Sequence, residues 1–131
     1  MALSSAMEDY LEAVFMLQKR KGYVRCVDVA DQLGVKKPSV SRAVKELSKS
    51  GHIMKTANGT LSLTEQGLQL AEQIYEKHRF FTKQLIDAGV DPKTAESDAC
   101  RIEHVVSKET FERLKAARKL SEKAVISSDE S

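Results

Sequence analysis

The sequence predicts a mainly α protein, with a winged helix-turn-helix over residues 1–64 followed by an all-helical second half over residues 65–131. Three observations carry this expectation. Apolar residues recur at helical spacing through most of the chain. Glycines stand just past the amphipathic stretches, where helices stop. The one place where apolar and polar residues alternate, "HIMKTANGTLSLT", is centred on Asn58-Gly59, a strong local signal for a tight hairpin.

The elements follow in order. Residues 5–20 read as an amphipathic helix with Leu11, Val14, Phe15 and Leu17 on one stripe and Gly22 as its stop. A short helix over about residues 27–33 turns Val29, Ala30 and Leu33 inward, and Gly34 provides the turn after it. A third helix begins near Pro38 and closes at Gly51, with Val40, Val44 and Leu47 facing the core. Helix, glycine turn and helix make a helix-turn-helix, and the hairpin that follows makes the wing. Thr64 is placed to cap a long fourth helix ending near Ala88, with Leu68, Ala71, Ile74, Tyr75, Phe81 and Leu85 buried and Gly89 terminating it. Pro92 opens a fifth helix and Ser107 a sixth, and the polar residues from Ser121 onward read as a frayed tail.

Composition bounds the function. The chain has 131 residues, 41% hydrophobic and 31% charged, ordinary values for a soluble globular protein. No apolar run approaches the ~20 residues of a membrane span, and the first residues lack the basic and apolar regions of a signal peptide, so a cytoplasmic location is expected. Two cysteines, Cys26 and Cys100, in that reducing compartment argue against a disulfide framework. The net charge is only +2, but between Lys36 and Lys55 six basic residues meet one acidic residue, Glu46. This local stripe of +5 on a body of −3 suits a polyanion.

A helix-turn-helix lays its second helix in the major groove of DNA. The exposed positions expected there are Ser39, Arg42, Ala43 and Glu46, opposite the core face. Arg42 is the natural base reader, because a guanidinium donates two hydrogen bonds to guanine. Lys36, Lys37, Lys45 and Lys49 suit phosphates as flexible point charges, and Pro38 and Ser39 open the same helix on the DNA-facing side. The bland alternative is a winged helix that contacts protein with merely solvated lysines.

The second half holds a different chemistry. Cys100, Glu103 and His104 fall at i, i+3 and i+4 on one helix face. Asp9 and Glu12 are at i and i+3 on the first helix, and His78 lies midway along the fourth. Singly, each has a bland reading: solvated helix-start acids, a satisfied core histidine, a thiol acting as a small hydrophobe. Their convergence, three carboxylates, two imidazoles and a thiol, would be very costly without a divalent cation.

At this point the chain resembles the diphtheria-toxin-repressor-like metalloregulators, particularly their shorter manganese-regulator branch. The carriers are "MEDYLEAVFML", "VADQLGVKKPSVSRAVKELSKSGHI", "LSLTEQG", "KHRFFTKQL" and "ACRIEHVVS", spread over about residues 5–120. The resemblance implies a homodimer that binds double-stranded operator DNA when Mn(II) or Fe(II) loads a site between the first, fourth and fifth helices. Its implied metal ligands are Asp9, Glu12, His78, Cys100, Glu103 and His104, and the second half becomes a dimerisation and metal-binding domain. Two departures make the chain a hybrid. Cys100 stands where manganese regulators have glutamate, and Asp9 where iron regulators have methionine. The ancillary site of the iron branch is altered or lost, since Thr82 and Glu96 occupy two of its positions. Arg42 replaces that branch's glutamine, and the resemblance is to the short form, expected to lack the SH3-like domain of longer members.

The expected function is therefore a metal-dependent transcriptional repressor, not an enzyme, with Ala95, Ala99, Ile102, Val105, Phe111 and Leu114 as candidate dimer-interface residues. One alternative is a metal-independent winged-helix regulator, whose DNA binding would survive chelation. The other is a small metallohydrolase using the ion to activate water, against which stand the absence of a Gly-rich phosphate loop and a ligand set large enough to saturate the metal.

Overall fold

The structure is a computed structural model that describes the backbone of residues 3–130 and side chains as far as Lys123. In chain order the elements are α1 (Ser5–Lys21), α2 (Cys26–Leu33), α3 (Lys37–Lys49), β1 (Ile53–Lys55), β2 (Leu61–Leu63), α4 (Glu65–Asp87), α5 (Pro92–Val105) and α6 (Lys108–Glu130). They form two compact units whose boundary, between Glu76 and Lys77, falls inside α4. Ala71, Ile74 and Tyr75 of α4 pack into the core of the first unit.

In the first unit, the Ser4 hydroxyl accepts from Met7 N–H and caps α1. Residues Leu11 to Phe15 of that helix are buried without a break. The start of α2 is fixed by Asp28, whose carboxylate lies 2.6 Å from the Lys21 ammonium and accepts from Arg25 N–H at 2.8 Å. The Lys21 bond, with the backbone bond second, holds this carboxyl below the usual carboxylate range. Gly34 takes φ 67° after α2, the left-handed conformation that closes such a turn without a Cβ penalty.

α3 buries Val40, Ala43, Val44 and Leu47. Each fully buried Val or Leu contributes about 1.5–3 kcal/mol relative to exposure. Ala43, expected on the exposed face, is 1% exposed: it sits three residues after Val40 and four before Leu47, which closes the buried stripe. The wing pairs β1 and β2 antiparallel, Ile53 opposite Leu63 and Lys55 opposite Leu61, and Val24 bridges to Leu61 on its other side. Its loop is not the two-residue Asn58-Gly59 turn. Thr56 N–H donates to Thr60 O and Gly59 N–H to Thr56 O, leaving three loop residues of which only Gly59 has positive φ, 88°.

Thr64 caps α4 as expected, accepting from Gly67 N–H at 3.0 Å while its own hydroxyl donates to Gly51 O at 2.6 Å. Leu68, expected inside, is 40% exposed, and Gly67 takes the inward place instead.

The second unit packs Phe81, Ala99 and Phe111 together, with Phe80, Ile102 and Val106 against them. The Phe80 ring stands edge-on to both Phe81 and Phe111, at 5.1 and 5.4 Å. Arg118 of α6 reaches Gln84 and Asp87 of α4 and pairs with Glu122 at 3.0 Å. Its guanidinium holds the Asp87 carboxyl below the ordinary range. The residues expected as a frayed tail continue α6 to Glu130, where the Arg118–Glu122 pair supports the helix at i, i+4; residue 131 lies outside the described residues. Among the described residues, no helix is long and apolar enough to cross a membrane.

Candidate metal centre and DNA-reading surface

The inward stripe of α4 is Gly67, Ala71, Ile74, His78, Phe81 and Leu85, spaced by four, three, four, three and four residues. His78 therefore occupies an apolar stripe by helical phase alone. α5 is anchored by Asp91, whose carboxylate accepts from Lys93 N–H and Thr94 N–H at 3.1 and 3.4 Å. Its buried residues are Ala95, Ala99 and Glu103. Two alanines thus prepare a close approach, and the third position of the same stripe is a carboxylate.

Glu103 is 3% exposed. One carboxylate oxygen, Oε2, lies 3.0 Å from His78 Nδ1. The other, Oε1, is buried, makes no hydrogen bond and lies 3.5 Å from His104 Nε2. Cys100, Glu103 and His104 each present one ligand atom, and these atoms lie within 4.8 Å of one another. A buried carboxylate oxygen without a hydrogen bond is expensive, and thiol, imidazole and carboxylate donors converging on it form a set that takes a first-row divalent cation. The donors present fit such an ion.

Of the six sequence-predicted ligands, His78, Cys100, Glu103 and His104 are brought together in the second unit. Asp9 and Glu12 stand on α1 in the first, Asp9 half-buried and Glu12 buried within the run from Leu11 to Phe15. Both cysteines are free thiols. Three of the expected interface residues are spent within the chain: Ala95, Ala99 and Phe111 are buried in the core. Val105, by contrast, is 82% exposed, and Leu114 is also exposed.

The polar face of α3 meets the wing across a groove of about 760 Å³ lined by Pro38, Ser41, Arg42, Val44, Lys45, Ser48, Lys49 and Lys55. The expected readers Pro38, Arg42, Lys45 and Lys49 line it. Lys36 is exposed at the helix start, and Lys37 lines a smaller recess with Arg25, Lys55 and Gly59. Ser39 is half-buried and lies outside the groove. Sequence reasoning missed Ser41, Ser48 and Arg25. The serines were detectable, since Ser41, Lys45 and Ser48 share one face at i, i+4 and i+7. Arg25 was not, because its place depends on the wing, where it donates to Asn58 O at 2.9 Å.

Residues 2–58 match the family described as iron dependent repressor, N-terminal DNA binding domain, and residues 64–119 match its metal binding and dimerisation domain. A helix-turn-helix transcriptional regulator of Methanocaldococcus jannaschii, itself uncharacterised, is 33% identical over 86% of this chain and 92% of its own length. The transcriptional regulator MntR of Listeria monocytogenes is 35% identical over 83% of this chain and 77% of its own. Among solved structures, the manganese regulator SloR superposes with a TM-score of 0.78 at 28% identity, covering 91% of this chain. IdeR of T. acidophilum gives 0.71 at 28% identity, covering 86%. The chain spans about half the length of these two, 55% and 53%. With both halves matched in order, the chain belongs to the iron dependent repressor family of metal-dependent, DNA-binding transcriptional regulators, which are not enzymes.

Proposed function

We propose that this chain is a homodimeric transcriptional repressor, acting in the cytoplasm, that binds operator DNA when loaded with Mn(II) or Fe(II) and so controls metal homeostasis. The observation that carries the reading is Glu103, a buried carboxylate within reach of two imidazoles and a thiol. A bound divalent ion would supply the positive charge that this donor set lacks. Asp9 and Glu12 complete the ligand set in this proposal. The DNA-competent arrangement is then the one that holds the ion best, which is a population shift. In the dimer two reading heads engage half-sites one turn apart, about 34 Å. Ile86, Val105, Leu114 and Leu120 of the second unit are exposed and offer apolar surface to a second copy.

The test is DNA binding to the region upstream of the gene, measured with Mn(II), Fe(II), Zn(II) or chelator. Binding that requires Mn(II) or Fe(II) and disappears on chelation supports the proposal; binding that survives chelation returns the chain to a metal-independent regulator.

Arg42→Ala is expected to weaken cognate operator binding by about 1–3 kcal/mol and to relax preference at one base position. Lys49→Ala is expected to weaken all sequences alike. Equal losses for Arg42→Ala on cognate and random DNA would remove its base-reading role. The metal preference turns on Cys100. A thiolate is softer than a carboxylate and favours Fe(II), Co(II) or Zn(II) over Mn(II) at a given site, whereas Asp9, Glu12 and Glu103 supply hard oxygens. Wild type is therefore expected to respond to both Mn(II) and Fe(II), Cys100→Glu to shift toward Mn(II), and Cys100→Ser to weaken every ion. Half-activating concentrations in an anaerobic DNA-binding assay measure this, and unchanged responses in both variants would make Cys100 a bystander.

A further inference from the structure

His78 has a carboxylate at each ring nitrogen. Glu103 Oε2 lies 3.0 Å from Nδ1 and Glu96 Oε1 lies 4.0 Å from Nε2. An imidazole offers one nitrogen to a metal and keeps the proton on the other, and ligating histidines place that N–H on an acceptor that fixes ring and tautomer. The donors of the proposed centre gather around Glu103, on the Nδ1 side. The nitrogen left to carry the proton is Nε2, and the Glu96 carboxylate stands within reach of it.

We infer that Glu96 is a positioning residue for the metal centre: it accepts the Nε2–H of His78 and thereby presents Nδ1 to the ion. The inference rests on the metal-binding reading above. Helical phase supports it, since Glu96, Cys100 and Glu103 stand at i, i+4 and i+7 on one face of α5. At 67% exposed, the Glu96 side chain has the rotamer freedom to shorten 4.0 Å to a hydrogen bond when the ring commits to one tautomer. The peptide group of His78 is fixed as well, because Thr82 Oγ1 donates to its carbonyl at 2.7 Å. Glu96 is not itself offered as a ligand of the ion.

Mn(II) affinity of the full chain, read from the electron paramagnetic resonance signal of the free ion, tests this without DNA. Glu96→Ala is expected to bind Mn(II) about 10–100-fold more weakly, and Glu96→Gln, whose amide oxygen still accepts, to stay within a few-fold of wild type. Both are expected to keep the wild-type melting temperature without metal. Nitrogen-15 spectra of the Zn(II)-loaded wild type are expected to show the His78 proton on Nε2. Wild-type affinity in Glu96→Ala, equal losses in both variants, or a His78 proton on Nδ1 would each overturn the inference and leave the metal reading standing. A wild type that binds neither Mn(II) nor Zn(II) would overturn both.

Discussion

Glu103→Gln is expected to abolish metal-dependent DNA binding while leaving helix content and oligomeric state in metal-free buffer as in wild type. The substitution keeps the shape of the side chain and its contact to His78 at 3.0 Å, and it removes the charge. Because the carboxylate is buried and shares its surroundings with Cys100 and His104, that charge has little solvent to stabilise it and gains most from a bound cation. The neutral amide should therefore be at least as stable as wild type in the absence of metal and should lose affinity for the ion by orders of magnitude. Circular dichroism and light scattering in chelator, beside DNA binding with Mn(II), separate the two effects. A variant that unfolds or dissociates in chelator would show that Glu103 serves the fold.

Gly67→Ala is expected to destabilise the chain by roughly 3 kcal/mol, the upper end for overpacking a tight contact. A methyl group there would overlap the His52 carbonyl oxygen and come within 2.9 Å of its carbon. Neither side can give way cheaply. His52 is held by its own N–H to Leu47 O, and its carbonyl accepts from Thr64 N–H; Gly67 is held by the Thr64 cap. Gln66→Ala, at an exposed neighbour, should change stability by no more than about 0.5 kcal/mol. Urea denaturation of the pair measures the difference, and equal midpoints would mean that the helix and the α3–β1 turn are not packed as tightly as the backbone places them.

Gly67 also shows what the sequence could and could not reveal. Hydrophobic periodicity located every helix, and the helix-stopping roles of Gly22, Gly34 and Gly89 followed from backbone chemistry that needs no tertiary information. In α4 the reading failed at one position: Leu68 was placed inside, whereas Gly67, a residue with no side chain to signal burial, takes the inward place. The same limitation explains Ala43: alanine is small enough to be written on either face, and only the packing of α3 chose. In the metal centre, Cys100, Glu103 and His104 were legible because i, i+3 and i+4 spacing is a local property. The role of Glu96 was not. It depends on which ring nitrogen of His78 each carboxylate faces, and that is set by the approach of α4 to α5.

The division of α3 into a buried stripe and a polar face bears on how such a regulator acquires new targets. Val40, Ala43, Val44 and Leu47 hold the helix in place, while Ser41, Arg42, Lys45, Ser48 and Lys49 line the groove. Exposed positions tolerate substitution within a few tenths of a kcal/mol, so the groove-facing set can drift, residue by residue, without endangering the scaffold. After gene duplication, two copies with one fold and one ion sensor could diverge in the promoters they occupy through a handful of changes on this face.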